Sequence, residues 1–239
     1  APGAGVMKAS GRGTMARPGA EIVRVLIFDL DNTLSAASEV GSELVEPVIA
    51  AIRAANRGTL CEERLEQAFS DLWRLPFDEV AERHRFTPAM FEAGWDEYAR
   101  IEIGKPMHGY ADLKVLASMP AARFLVTSGF RRLQESKIDA LGIRGLFAGI
   151  FIDAIDEPGR KGKLRIFRDI LVGNRLAPTE VIVVGDNPES EIAAGNSLGM
   201  RTVQILRAGV ARDPSAGYHV TDLNELLDLI REIEEEKLG

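Results

Sequence analysis

Apolar residues along this chain follow two rhythms. Short, almost unbroken runs rich in β-branched residues occur at Ile22–Phe28, Arg123–Val126, Gly149–Ile152, Val181–Val184 and Thr202–Leu206. Runs without polar alternation suit strands covered on both faces, as in parallel sheets. Between the later runs the spacing turns helical. Leu164, Phe167 and Leu171 share one face of a helix after Gly162, and Ile192, Ala193 and Leu198 belong to another that Gly199 ends. Leu223, Leu226, Leu227, Ile230 and Ile233 mark a final amphipathic helix. Strands alternating with helices predict an α/β fold with a doubly wound parallel sheet.

The stretch between the first and second runs is different. Leu44, Val48 and Ile52 form one helical stripe, and Leu65, Phe69, Leu72 and Trp73 form a second. Thr87 and Pro88 make a helix N-cap and first turn ahead of Phe91, Trp95 and Tyr98. About 70 residues of purely helical pattern are too many for a loop. The expected organisation is a flexible tail at 1–20, with Met7 or Met15 as the natural start. A discontinuous core at 21–38 and 109–239 and an all-helical cap at 39–108 complete it.

Composition narrows the partners. With 46% hydrophobic and 27% charged residues the chain is of ordinary globular type. A net charge of -7 disfavours a nucleic-acid backbone as a general partner, yet leaves room for a locally positive site that takes a small anion. The single cysteine, Cys61, allows no intrachain disulfide and no cysteine metal cluster, and reads as a helix residue rather than a nucleophile. No apolar run approaches the ~18 residues of a membrane span. A reducing, cytoplasmic location is expected, with the protein a monomer or homodimer.

Candidate chemistry stands where such sheets bind ligands, at the carboxyl ends of the strands. The first run ends in Asp29-Leu30-Asp31-Asn32-Thr33 and the second in Thr127-Ser128-Gly129. The fourth run ends in Gly185-Asp186-Asn187, with Glu191 a turn later, and Arg160, Lys161 and Lys163 precede the helix from Leu164. Converging carboxylates suit a hard cation such as Mg²⁺, with Mn²⁺ equally acceptable to oxygen ligands. Lysine and hydroxyl donors suit phosphoryl oxygens.

These segments resemble the four motifs of the haloacid dehalogenase-like hydrolase superfamily. Phe-Asp-Leu-Asp-Asn-Thr-Leu at 28–34 is similar to the first, Val-Thr-Ser-Gly at 126–129 to the second, and Lys161 followed by Phe167 to the third. Val-Val-Gly-Asp-Asn-Pro-Glu-Ser-Glu-Ile at 183–192 resembles the fourth, and the order is that of the family. The resemblance implies a Mg²⁺-dependent phosphohydrolase acting on a small phosphomonoester, a nucleotide or sugar phosphate. Asp29 would be the nucleophile that forms an aspartyl-phosphate and a metal ligand, and Asp31 the acid–base and, through its carbonyl, a metal ligand as well. Thr127 would bind the phosphoryl group, with Ser128 and Gly129 beside it. A lysine, Lys161 in preference to Lys163, would neutralise charge. Asp186 would ligate the metal, with Glu191 as its outer carboxylate.

An acid two residues after the nucleophile favours phosphate transfer over dehalogenation. A phosphomutase, or a non-catalytic binding protein that retains the fold, are the alternative functions. His84, in Glu-Arg-His-Arg, reads as part of a solvated helix face, and Trp73 and Trp95 as core of the insert.

Overall fold

The protein is described by a computed structural model covering residues 22–235, so the expected tail at 1–20 lies outside the described residues. Six strands form one parallel sheet. They are β1 (Val25–Phe28), β2 (Ala122–Gly129), β3 (Gly149–Ala154), β4 (Val181–Gly185), β5 (Arg201–Ile205) and β6 (Tyr218–Val220). Their order is β3-β2-β1-β4-β5-β6, so the doubly wound sheet is present. The last strand has no sequence signal: Tyr218-His219-Val220 is too short and too polar to stand out.

The helices are α1 (Ser42–Asn56), α2 (Glu62–Asp71), α3 (Phe77–Arg83), α4 (Pro88–Tyr98), α5 (Arg131–Ala140), α6 (Lys163–Asn174), α7 (Ala193–Ser197) and α8 (Leu223–Glu235). Among the described residues none is long and apolar enough to cross a membrane.

The central strand shows why its residues are all apolar. Leu26 and Phe28 enter a cluster with Leu125, Val184, Leu226 and Ile230, whereas Val25 and Ile27 enter one with Val126, Val183, Ile166 and Phe167. Alternate residues point to opposite faces, and both faces are covered. On α6 the buried stripe is Ile166, Phe167, Ile170 and Leu171, and Leu164 is exposed. This is a rotation from the expected face, and it turns out to decide which lysine reaches the sheet.

Helices α1–α4 share a separate cluster containing Val48, Ile52, Phe69, Phe77 and Met90, with Trp73 and Trp95 half-buried against it. Thr87 caps α4 as expected, its Oγ accepting from the Met90 amide at 3.3 Å. Phe130 and Leu133, from the region of α5, complete this cluster and so join insert to core. Where the insert leaves and rejoins the core, the Glu39 carboxylate accepts from the amides of His108 (2.5 Å) and Gly109 (3.0 Å). His84 corrects the solvated-face expectation: it is buried, with Nε2 2.8 Å from Asp71 Oδ2, inside the insert.

Candidate active site

Asp29 follows the last residue of β1, and its amide donates to the Val184 carbonyl of β4 at 3.0 Å. That bond fixes it beside Asp186, which lies just past the end of β4. Asp29, Asp186 and Glu191 offer carboxylate oxygens within 4.8 Å of one another, and all three are buried. Glu191 belongs to a single π-helical turn, Pro188–Ile192, a wider coil of a kind often found at functional sites. Gly185 makes room for it, because a Cβ there would stand 2.2 Å from Glu191 Oε1. Both Glu191 oxygens are engaged: Oε1 accepts from the Asn187 amide at 2.7 Å and Oε2 from Lys163 at 2.7 Å.

The lysine at the site is Lys163. Its Nζ lies 2.7 Å from Asp29 Oδ1. It precedes Ile166, Phe167 and Ile170 by three, four and seven residues, so it opens the stripe that α6 turns toward the sheet. Lys161 corrects the preferred sequence expectation. It lies outside the helix, half-exposed, and pairs with Asp169 at 2.8 Å. The family spacing to Phe167 favoured Lys161; the helix phase would have favoured Lys163.

The electrostatics follow from burial. Desolvation of Asp29 outweighs the neighbouring Lys163 ammonium and pushes its carboxyl up to about 7. Desolvation and then the charges of Glu191 and Asp29 push Asp186 up to about 8. Burial works against the charge of Lys163, yet Asp29 and Glu191 hold its ammonium above the usual lysine range. Four carboxylates, Asp29, Asp31, Asp186 and Glu191, face two lysines, Lys137 and Lys163, around one cavity. The excess of negative charge and the all-oxygen donors fit a hard divalent cation.

The structure separates Asp31 from the trio. Its side chain meets Lys137 on α5, with Nζ at 2.8 and 3.0 Å from its two oxygens. Gln134 donates to Asp31 Oδ2 at 3.2 Å and to the Ser128 carbonyl at 3.0 Å. Lys137 and Gln134 are buried and were not found from sequence. Their one signal was being three residues apart on a helix beginning two residues after the Thr-Ser-Gly segment.

Thr127 is buried and lines the cavity. Ser128 also lines it, but its Oγ lies 3.3 Å from Asp153 Oδ2. Gly129 has φ 148, and a Cβ there would meet the Gln134 side chain at 2.6 Å. Asp153, also missed, gathers the second and third segments. It accepts from Ser128, from Arg160 Nε at 2.8 Å and from the Gly162 amide at 2.8 Å, just before Lys163. Arg207 donates to the Thr33 carbonyl at 2.9 Å and pairs with buried Asp112 at 2.9 Å, bracing the loop after the nucleophile.

The fold and this arrangement define a haloacid dehalogenase-like hydrolase. The family model for haloacid dehalogenase-like hydrolases matches residues 23–199, and the chain belongs to that family. It is 24% identical over 229 residues to glyceraldehyde 3-phosphate phosphatase of Methanocaldococcus jannaschii, covering 90% of this chain and 100% of that protein. Phosphoserine phosphatase of Thermus thermophilus is 32% identical over 104 residues, 43% of this chain and 41% of that one. Among solved structures, a haloacid dehalogenase-like phosphatase from Thermococcus onnurineus shares the fold with a TM-score of 0.58 at 18% identity, covering 87% of this chain and 97% of that one. A hydrolase of this class from Bacillus subtilis, bound to magnesium, has a TM-score of 0.58 at 16% identity, covering 87% and 99%.

Proposed function

We propose that this chain is a Mg²⁺-dependent phosphoric monoester hydrolase working through an aspartyl-phosphate. The observation that carries the reading is Asp29 at the sheet's carboxyl edge, 2.7 Å from a buried lysine and clustered with Asp186 and Glu191. One Asp29 oxygen attacks phosphorus in line with the ester oxygen, whose bond to phosphorus breaks. Asp31 gives that oxygen a proton, then takes one from the water that hydrolyses the acyl-phosphate, releasing inorganic phosphate. Lys163 neutralises the phosphoryl oxygens, and Thr127 hydrogen-bonds to them. Lys137 and Gln134 hold the Asp31 carboxylate in one orientation. Mg²⁺, held by Asp29 and Asp186 with Glu191 behind them, would supply the charge that lowers repulsion between an anionic phosphate and an anionic nucleophile. The insert supplies Leu72, Leu75 and Phe77 to the cavity lining.

Phosphate release from a panel of phosphomonoesters, run with Mg²⁺, with EDTA and with Asp29→Asn, tests the reading. Turnover with Mg²⁺ that disappears in both controls is expected. Release that survives Asp29→Asn would overturn the mechanism, and folded protein with no turnover on the panel would overturn the activity.

A further inference from the structure

The cavity above Asp29 has two chemically distinct halves. Its floor carries the carboxylates, lysines and hydroxyls already described. Its apolar wall is built from Val45, Leu72, Leu75, Phe77, Tyr98 and Phe130. The wall is tightly braced: Tyr98 stacks on Phe130 at 5.4 Å and 4°, and Phe77 lies 5.5 Å from Tyr98. From the insert only Arg74 brings a cation to the lining, and it is exposed, its Nη1 3.5 Å from the Gly209 carbonyl. The two lysines are already paired with carboxylates. The cavity holds about 100 Å³, against roughly 300–1,000 Å³ for pockets that take drug-sized ligands.

A phosphate bound at Asp29 therefore leaves its alcohol half against carbon. A carboxylate or ammonium packed on these apolar side chains would lose water and, Arg74 apart, meet only carbon there, which is costly. A nucleoside would exceed the space. We propose that the alcohol half of the substrate is small and uncharged, and packs a carbon face on this wall. The proposal rests on the phosphatase reading and sets aside nucleotides and phosphorylated amino acids.

The test is calorimetric binding of non-hydrolysable phosphonates to the Mg²⁺-loaded protein. Propylphosphonate and phenylphosphonate are compared with 2-amino-3-phosphonopropionate. The uncharged pair is expected to bind at least about tenfold more tightly, a modest share of the cost of stranding an unpaired charge. Equal or tighter binding of the amino acid analogue, or no binding by any of the three, would overturn the proposal. Leu75→Arg, at a half-buried loop position of the wall, is expected to move the ratio about tenfold toward the charged ligand; an unmoved ratio in folded variant protein also counts against it. Because binding is read without turnover, the two failures are distinct: phosphates that are hydrolysed while the phosphonates show no preference would sink this proposal alone, and uncharged phosphonates that bind while the matching phosphates are not hydrolysed would sink the phosphatase reading on which it rests.

Discussion

At the scale of single residues, two lysines two positions apart make the sharpest contrast. Lys163 is buried between Asp29 and Glu191, whereas Lys161 reaches only an exposed carboxylate, Asp169 of α6. Lys163→Met is expected to lower kcat/KM on the order of a thousandfold, as loss of a preorganised charge at a phosphoryl site does. Lys161→Met is expected to stay within about twofold, since exposed ion pairs contribute little. Steady-state kinetics on the two variants checks both. The carboxylates give a pH signature. Asp29 and Asp186 titrate far above the unfolded carboxylate range. Their contribution to metal-free stability is therefore present below the unfolded value and is lost as pH rises through about 7 to 8. On the proposed mechanism Mg²⁺ takes the ionised forms, so the Tm increment it produces is expected to grow between roughly pH 5.5 and 8.5. Calorimetry across that range, with and without Mg²⁺, decides; an increment independent of pH would contradict the assignment. Asp29, Asp31, Thr127, Asp186 and Glu191 were legible because each follows an apolar strand. Lys137, Gln134 and Asp153 were not, because a polar residue on a helix face or within a strand looks the same whether it points at solvent or at a partner, such as the Asp31 carboxylate about 100 residues from Lys137 and Gln134.

At the scale of elements, the loop between β1 and the insert depends on a brace from the far side of the sheet. Arg207 binds the Thr33 carbonyl, pairs with Asp112 and stacks over Tyr110 at 4.1 Å. Arg207→Met leaves Asp112 buried without its cation and is expected to cost about 3 kcal/mol. In a chain of this length that is roughly 6 to 12 °C in Tm, measurable by thermal denaturation. Gly185→Ala places a methyl group against the Glu191 side chain. It is expected to weaken Mg²⁺ affinity more than it lowers Tm, which calorimetric titration of the metal would show. Strand runs were readable because burial on both faces removes alternation. The phase of α6 was misread because Leu164, though apolar, yields the inward position to Lys163.

At the scale of the whole molecule, insert and core meet through polar links as well as apolar packing. Arg160 joins Asp78 of α3, Arg83 joins Glu189 at 3.0 Å, and the Asn32 amide donates to the Trp73 carbonyl at 3.1 Å. Ion pairs with this much exposure are individually weak and screened by salt. Asp78→Asn combined with Glu189→Gln is expected to raise KM by roughly threefold to tenfold at low salt, with the gap from wild type closing at high salt. A KM unchanged at low salt would show that these pairs do not hold the insert in place. The fold class and the helical character of the insert were both legible, since periodicity reports burial. How insert and core face each other was not, because that rests on pairings such as Arg160 with Asp78, which have no local signature.

Glu39 and the two amides it binds draw the two ends of the insert to one point. To the sheet, the whole helical excursion is therefore equivalent to a tight turn: β1 and β2 pair in parallel register as neighbours whatever lies between them. A segment tied off in this way can lengthen, shrink or be exchanged for another without shifting a strand. The helical insert is thus modular with respect to the sheet that carries Asp29 and Asp186, and evolution can alter one while leaving the other untouched.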